Sequence, residues 1–415
     1  MQRLPIAIVG CGGMGGRHLR GLKELSGTPF YNVELAAVCD LRLDNAEHLA
    51  GMAEELLGTR PQVFQSMEAM VAALPELQGV DITTDSGSHH AVATEAFGLG
   101  LHVLLEKPIA LSIRGSNQIL AAQQRAGKVL SVAEQFRRDP ICRLTKAVIE
   151  AGILGELYAL FEIGGGSGDQ IIILPWRHYK QHGGILVDAG VHTSDLMQTY
   201  MGPAREVYAH TRLFEPVRRK GRLGVAHFYE RWYDEVPETI EATAEDTMLC
   251  LITFENGALG QWTAFRAAHG RPFGLSGIYG RLGSLHSPGA RNGRPVTVHL
   301  DDGGELTGDA VLDLVPEFHL DPETAHLFQA ERLGSYGYTF PEADRKLLAL
   351  EYWEFGACMS TGQAPEVDGL VARKALALVN AALESAVLHR PVTLAEIEAE
   401  ETGAYEREIN EHWGI

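Results

Sequence analysis

Short apolar runs alternate with segments of helical period over the first 135 residues. "IAIVG" is an apolar strand, and the segment after it carries Leu19, Leu22 and Leu25 at helical spacing. "VELAAVCD" is a second strand and 43–58 a second helix. "PQVFQS" leads into "MEAMVAALP", where Ser66 stands at the position of an N-cap. "GVDITTD", "HVLLEKP" and "VLSVAEQF" supply further strands, separated by helices near 89–100 and 112–127. Strands that are apolar throughout and alternate with helices predict a parallel, doubly wound sheet covered on both faces.

The pattern changes after residue 135. A helix is expected over 140–151, then the strand "ELYALFEIG" and a loop "GGGSGDQ". In "GGILVDAGVHTSDL" (183–196) Asp188, His192 and Asp195 are four and three residues apart, which places them on one face of a helix. Strand patterns dominate 205–306, with a hairpin turning at Asn256-Gly257 and a second turn-bounded pair in "VTVHLDDGGELTG". "FYERWYDEV" (228–236) reads either as an ordinary strand or as a lid or oligomer contact. Helical texture returns at 341–361, 370–388 and 394–411. These patterns predict two domains. Residues 1–135 form an α/β doubly wound domain, and 136–415 an α+β domain built on a large, mostly antiparallel sheet.

Composition narrows the class. Apolar residues make up 45% and charged residues 21% of 415, as in a globular protein with a full core. The formal charge of −19 argues against a nucleic-acid partner, although a few Arg and His residues can still form a positive pocket. The five cysteines are dispersed, without a CxxC pair or metal-ligand spacing, so reduced thiols, a cytoplasmic location and no metal are expected. No run of about eighteen apolar residues occurs, so no membrane span is expected.

The first chemical signal is "VGCGGMGGRH", in which Gly10-x-Gly12-x-x-Gly15 follows a strand and opens a helix. The first glycine permits the tight turn, the second lets a pyrophosphate approach the backbone, and the third lets helix and strand pack closely. Asp40 ends the next strand, 25 residues after Gly15. A carboxylate there accepts hydrogen bonds from ribose hydroxyls and repels a 2′-phosphate, which predicts NAD over NADP. Arg42, two residues later, can soften that discrimination.

Three further segments carry a resemblance: "ITTDSGSHHAVATEAFGLGLHVLLEKPIALS", "WRHYKQHGGILVDAGVHTSDL" and "PEVDGLVARKALALVNAALESAVLHRPVTL". With the glycine fingerprint they stand in the order found in the glucose–fructose oxidoreductase / inositol dehydrogenase (Gfo/Idh/MocA) family, which the chain resembles over most of its length. The resemblance is weakest over 214–245 and 286–340. It implies that Glu106-Lys107-Pro108 is the family's EKP motif, with a lysine at the reacting hydroxyl and a proline often preceded by a cis bond. It implies that Asp188 and His192 are the D-x-x-x-H pair beside the nicotinamide. His89 matches the histidine after the fourth strand, Arg137 the arginine of the domain junction, and Trp176-Arg177 the WR element. Asp85 departs from the pattern, where most members have Pro after Thr84. The residues expected to hold the cofactor are Gly10, Gly12, Gly13, Met14, Gly15, Asp40, Thr84, His89, Glu106, Lys107 and Gln135.

The residues support this independently. Thr84–His89 and Glu106–Pro108 lie just past the carboxyl ends of expected parallel strands, the edge where open α/β sheets bind ligands. Oxidation of a secondary alcohol needs a base for the hydroxyl proton and a donor for the developing alkoxide. His192 is the expected general base, Asp188 orients it, and Lys107 stabilises the alkoxide or shares the proton. Asp195 is read as a supporting carboxylate. The family implies a sugar, glycoside or cyclitol as substrate. Trp176, Arg177, His178, Tyr179 and Lys180, with Arg137, can offer an aromatic face and positive groups to an anionic substituent. Two other readings use the same residues. One is an NAD-dependent glycoside hydrolase that oxidises, eliminates, adds water and re-reduces; the other is a non-catalytic NAD sensor. A sheet with one uncovered face also predicts a homodimer or homotetramer.

Overall fold

The computed structural model describes residues 3–222 and 227–415, which form two compact units. Residues 3–135, 227–233 and 344–373 make up the first unit, and 136–222, 234–343 and 374–415 the second. Two stretches expected in the second domain, 227–233 and 344–373, therefore belong to the first unit.

The first unit is a Rossmann domain. In chain order it runs β1 (Leu4–Val9), α1 (Gly13–Ser26), β2 (Val33–Cys39), α2 (Leu43–Leu57), β3 (Gln62–Phe64), α3 (Met67–Ala73) and β4 (Gly79–Ile82). It continues through α4 (His89–Gly98), β5 (His102–Glu106), α5 (Ile113–Ala126) and β6 (Leu130–Ala133). The six parallel strands take the order β3-β2-β1-β4-β5-β6, so the chain reverses direction between β1 and β4. Strands β4 and β6 are buried at every position, because helices cover both sides of the sheet. Ser66 caps α3 by accepting from the Ala69 amide at 3.2 Å.

The second unit begins with α6 (Pro140–Glu150), β7 (Leu157–Ser167), α7 (Gly184–Met201), β8 (Ala204–Arg212) and β9 (Val217–Arg219). The next helix, α8 (Glu230–Tyr233), belongs to the first unit. Then come β10 (Thr239–Glu241), β11 (Thr247–Phe254), β12 (Leu259–Ala268), β13 (Phe273–Gly280), β14 (Gly283–His286), β15 (Thr297–Leu300) and β16 (Glu305–Thr307). The chain ends with α9 (Pro322–Phe328), α10 (Phe340–Thr361), α11 (Gly369–Leu388), β17 (Val392–Thr393), α12 (Leu394–Glu398) and α13 (Arg407–Trp413).

Nine strands form one sheet in the order β16-β15-β14-β13-β7-β12-β11-β8-β17. Only the β7–β12 pair among them is parallel. Three expectations differ from this. "GGGSGDQ" was expected as loop, yet β7 runs on through Gly164–Ser167 because both its neighbours supply ladder partners there. "FYERWYDEV" opens with a 3-10 turn and α8, not a strand. The helix expected over 394–411 is two short helices, α12 and α13, with the turn between them tied to Glu384 by the Ala404 and Tyr405 amides at 2.8 and 2.7 Å. All five cysteines are buried and none forms a disulfide, and no described helix is long and apolar enough to cross a membrane.

Candidate active site

The glycine turn after β1 is built by close approach. Gly10 lies at φ +97°, and a Cβ there would stand 2.7 Å from the Thr84 amide nitrogen. Thr83 Oγ1 donates to Gly10 O at 2.6 Å and pins the turn to the end of β4. A Cβ on Gly15 would stand 2.4 Å from Gly10 O, so α1 can lie this close to the turn only with glycine there. At Gly12 nothing stands within 4 Å of the missing Cβ, leaving open space beside the backbone at the start of α1. That is the cradle a pyrophosphate needs: exposed backbone at a helix N-terminus, with no side chain in the way.

Asp40 follows β2 and accepts from the Cys11 amide at 2.7 Å and the Arg42 amide at 2.8 Å. Each oxygen keeps acceptor capacity for a ribose hydroxyl. Gln135 is buried, and its Oε1 has no partner among the described residues, so it holds an acceptor in reserve for a ligand. The open cradle, Asp40 and this unpartnered amide oxygen fit NAD. NAD should bind at least about tenfold more tightly than NADP, a preference of roughly 1.4 kcal/mol. Fluorescence titration of the protein with each nucleotide measures it, and equal or tighter NADP binding would refute the role of Asp40.

Around the EKP motif, Glu106 closes β5, and the Lys107–Pro108 peptide is cis. His89, at the start of α4, places Nδ1 2.8 Å from Pro108 O and Nε2 3.4 Å from Thr84 O. Burial lowers the pKa of its imidazole, leaving a neutral ring with one N–H, which the shorter contact assigns to Pro108 O. His89 therefore braces the EKP turn. Thr84 Oγ1 accepts from Ser88 Oγ at 2.9 Å. Asp85 caps the short 3-10 turn 86–88, accepting from the Gly87 amide at 2.9 Å. The carboxylate standing where the family has Pro thus fixes the same turn by a hydrogen bond.

In the second unit, α7 carries Asp188 and His192, each 8% exposed, and Asp195, 2% exposed. Arg177 Nε donates to Asp188 Oδ2 at 2.8 Å, and its guanidinium lies 4.2 Å from the centre of the Trp176 ring. Arg137 grips Asp195 with two hydrogen bonds, the Nε one at 2.8 Å. The His192 ring stacks on Phe136, with centroids 4.1 Å apart and planes 2° from parallel. The D-x-x-x-H helix thus presents a buried imidazole held flat against an aromatic ring, with a charge-balanced carboxylate one turn away.

The positive segment 176–180 is largely balanced from within. Arg177 is paired with Asp188, and Lys180 Nζ lies 3.2 Å from Glu408. His178 is buried, and its Nε2 accepts from the Ile172 amide at 2.9 Å. Burial, Arg218 and Arg177 hold its ring down to about 4, so it is neutral. Arg137, likewise, is spent on Asp195. Arg137, Arg177 and Lys180 thus each lie beside a carboxylate, and His178 accepts a backbone hydrogen bond.

Four residues packed against these elements escaped the sequence pattern. Phe136 immediately follows Gln135, the end of the first unit's N-terminal segment, and has no motif of its own. Tyr229 lies against the glycine turn, where a Cβ on Gly13 would come 2.4 Å from its ring; only its place in an aromatic run hinted at a role. Arg17 and His18, in the second turn of α1, meet Glu106, with Arg17 Nη1 and His18 Nε2 each 3.3 Å from its Oε1. The fingerprint "GGMGGRH" contains both, but its glycine spacing carries no signal for them.

Comparison with known proteins agrees with this geometry. Residues 4–134 match the family described as "Oxidoreductase family, NAD-binding Rossmann fold", and 142–286 the "GFO/IDH/MocA C-terminal domain". D-apiose dehydrogenase of Paraburkholderia graminis is 25% identical over 96% of this chain and 92% of its own. Myo-inositol 2-dehydrogenase of Thermotoga maritima is 23% identical over 95% of this chain and 99% of its own. Levoglucosan dehydrogenase of Pseudarthrobacter phenanthrenivorans is 30% identical, but over 51% of this chain and 55% of its own. A solved levoglucosan dehydrogenase complexed with NADH and levoglucosan shares the fold, with a TM-score of 0.73 and 22% identity over 95% of this chain and 100% of its own. The chain belongs to the Gfo/Idh/MocA family of oxidoreductases, and its first unit carries that family's NAD-binding Rossmann domain.

Proposed function

We propose that the protein oxidises a secondary alcohol of a sugar, glycoside or cyclitol, or reduces the corresponding ketone. NAD, when bound, takes up or returns the hydride. The chain's own residues do the rest. His192 takes the hydroxyl proton, and its stacked, buried ring loses little freedom in doing so. Lys107 steadies the oxygen as it becomes negative. Asp188 sets the orientation and charge of the His192 environment, with Arg177 compensating its own charge.

The observation that carries this reading is the buried His192 one turn from Asp188, in a chain that also carries a glycine cradle open at Gly12. A purely structural helix has little reason to bury an ion pair and an imidazole on the same face. The relatives named as dehydrogenases of apiose, inositol and levoglucosan support the substrate class. The test is a panel of sugars, glycosides and cyclitols with NAD, following NADH and free aglycone together. NADH formed in step with ketone is the expected result. Aglycone released without NADH would instead make the protein a redox-neutral glycoside hydrolase, and turnover of no member would end the proposal.

The outer face of the large sheet exposes Leu249 and Leu251 on β11 and Leu259 on β12, which the strand register places on one side. Water-facing leucines in a row favour burial against a second copy. The protein should therefore be a dimer or tetramer by light scattering at micromolar concentration, and Leu251→Lys should shift it toward monomer. A wild-type monomer would refute this.

A further inference from the structure

One line of buried ionisable side chains in the first unit has no part in the chemistry above. The Tyr352 hydroxyl donates to Asp81 Oδ2. That oxygen lies 3.0 Å from His18 Nδ1, and His18 Nε2 lies 3.3 Å from Glu106 Oε1. Arg17 Nη1 reaches the same Glu106 oxygen at 3.3 Å, and its Nε and Nη2 donate to the two oxygens of Asp344 at 2.7 Å each. All six side chains are buried.

The ring of His18 thus stands between two carboxylates. A neutral imidazole has one N–H, so its other nitrogen would turn a lone pair toward a carboxylate oxygen with no solvent between them. Only the doubly protonated ring gives each carboxylate a donor. We propose that His18 is a permanently protonated positioning residue that fixes Glu106, and so the turn bearing Lys107, to the helix that opens the nucleotide cradle. The proposal rests on the reading of Lys107 given above.

The electrostatics agree with the geometry. Burial pulls the His18 imidazole down, but Asp81 and Glu106 outweigh it and push it up to about 10. Burial raises Glu106, but His18, Lys107 and Arg17 outweigh that and hold it at about 2. The groups facing the ring are Asp81 from β4, Glu106 from β5 and Tyr352 from α10. Arg17 beside it and Glu351 on α10 complete the charged set. On the far side of Lys107, the Pro108 carbonyl is held by the neutral His89. Lys107 therefore sits between two anchored residues, one tied by a charged histidine and one by an uncharged one. Its backbone is fixed on both sides.

The test needs no substrate. Long-range 1H–15N spectra of the whole protein should show one imidazole still doubly protonated at pH 9, and that signal should vanish in His18→Gln. Hydrogen exchange read by mass spectrometry should rise at least about tenfold over 104–109 in that variant, with α7 unchanged as control. NAD affinity by fluorescence should change less than about threefold, because His18 is not among the groups that meet the nucleotide. A neutral imidazole pattern for His18 at pH 8, or unaltered exchange over 104–109, would overturn the proposal. If the variant does not accumulate, the wild-type spectrum decides: no imidazole doubly protonated at pH 9 would refute it. None of these readouts depends on turnover, so failure of Lys107 as a catalytic group would be seen separately, in the activity of Lys107→Ala.

Discussion

Alanine at His192 should lower turnover by at least about a hundredfold, and alanine at Lys107 should do the same, because each would remove the acid–base catalysis or alkoxide stabilisation proposed for it. His192 is the more telling of the two. Its ring lies flat on Phe136 and is 8% exposed, so truncation removes a buried, stacked imidazole. Asp188 cannot take over as base without giving up the Arg177 guanidinium 2.8 Å away. Steady-state NADH formation with the best substrate of the panel, together with fluorescence titration of NAD, separates chemistry from cofactor binding. The expected result is a loss in kcat with NAD affinity nearly unchanged. Either variant turning over within about threefold of wild type would remove that residue from the mechanism.

Asp344→Ala should destabilise the protein by about 3–5 kcal/mol, the usual consequence of removing one partner from a buried ion pair. Arg17 donates to both oxygens of Asp344 at 2.7 Å, and both side chains are buried. A guanidinium does not deprotonate to escape, so the variant keeps an undercompensated buried charge. Urea unfolding gives the change from midpoint and slope. A loss below about 1 kcal/mol would show that water reaches Arg17. Replacing both residues by apolar ones of similar size should recover most of the loss.

The neighbouring pair gives this stability a pH dependence. His18 in the folded protein titrates near 10, above its ordinary 6.5, so its contribution is complete below pH 6.5 and is lost as pH rises toward 10. Glu106 titrates near 2, below its ordinary 4.5, so its contribution is complete above pH 4.5 and is lost as pH falls toward 2. The two windows overlap between pH 4.5 and 6.5, where this network stabilises most. Thermal midpoints should decline from pH 7 to pH 10, and His18→Gln should flatten that decline.

Much of the first unit was legible because its signals are local. Strand and helix periods repeat within a few residues, and a glycine fingerprint is fixed by the turn it must make. Gly10, Gly12, Gly15 and Asp40 could therefore be assigned to a nucleotide cradle by spacing alone. The helix bearing Asp188 and His192 was legible for the same reason: four residues make about one turn, and the pattern needs no distant partner. The extension of β7 across Gly164–Ser167 was not, because glycine favours no strand by itself and the ladder is supplied by β12 and β13, about a hundred residues later.

The sequence by itself determined most of the elements, the doubly wound sheet and the cofactor class. Tertiary structure decided the partners of its charged side chains. Arg137, Arg177 and Lys180 read only as positive groups in the sequence, and the fold sets Asp195, Asp188 and Glu408 beside them. Nothing in the sequence pattern around His18 shows that strands β4 and β5 bring a carboxylate to each of its nitrogens. The physical reason is the same in each case. Period and turn geometry are written in neighbouring residues, whereas the charge state and partner of a buried group depend on what the folded chain places within about 3 Å of it.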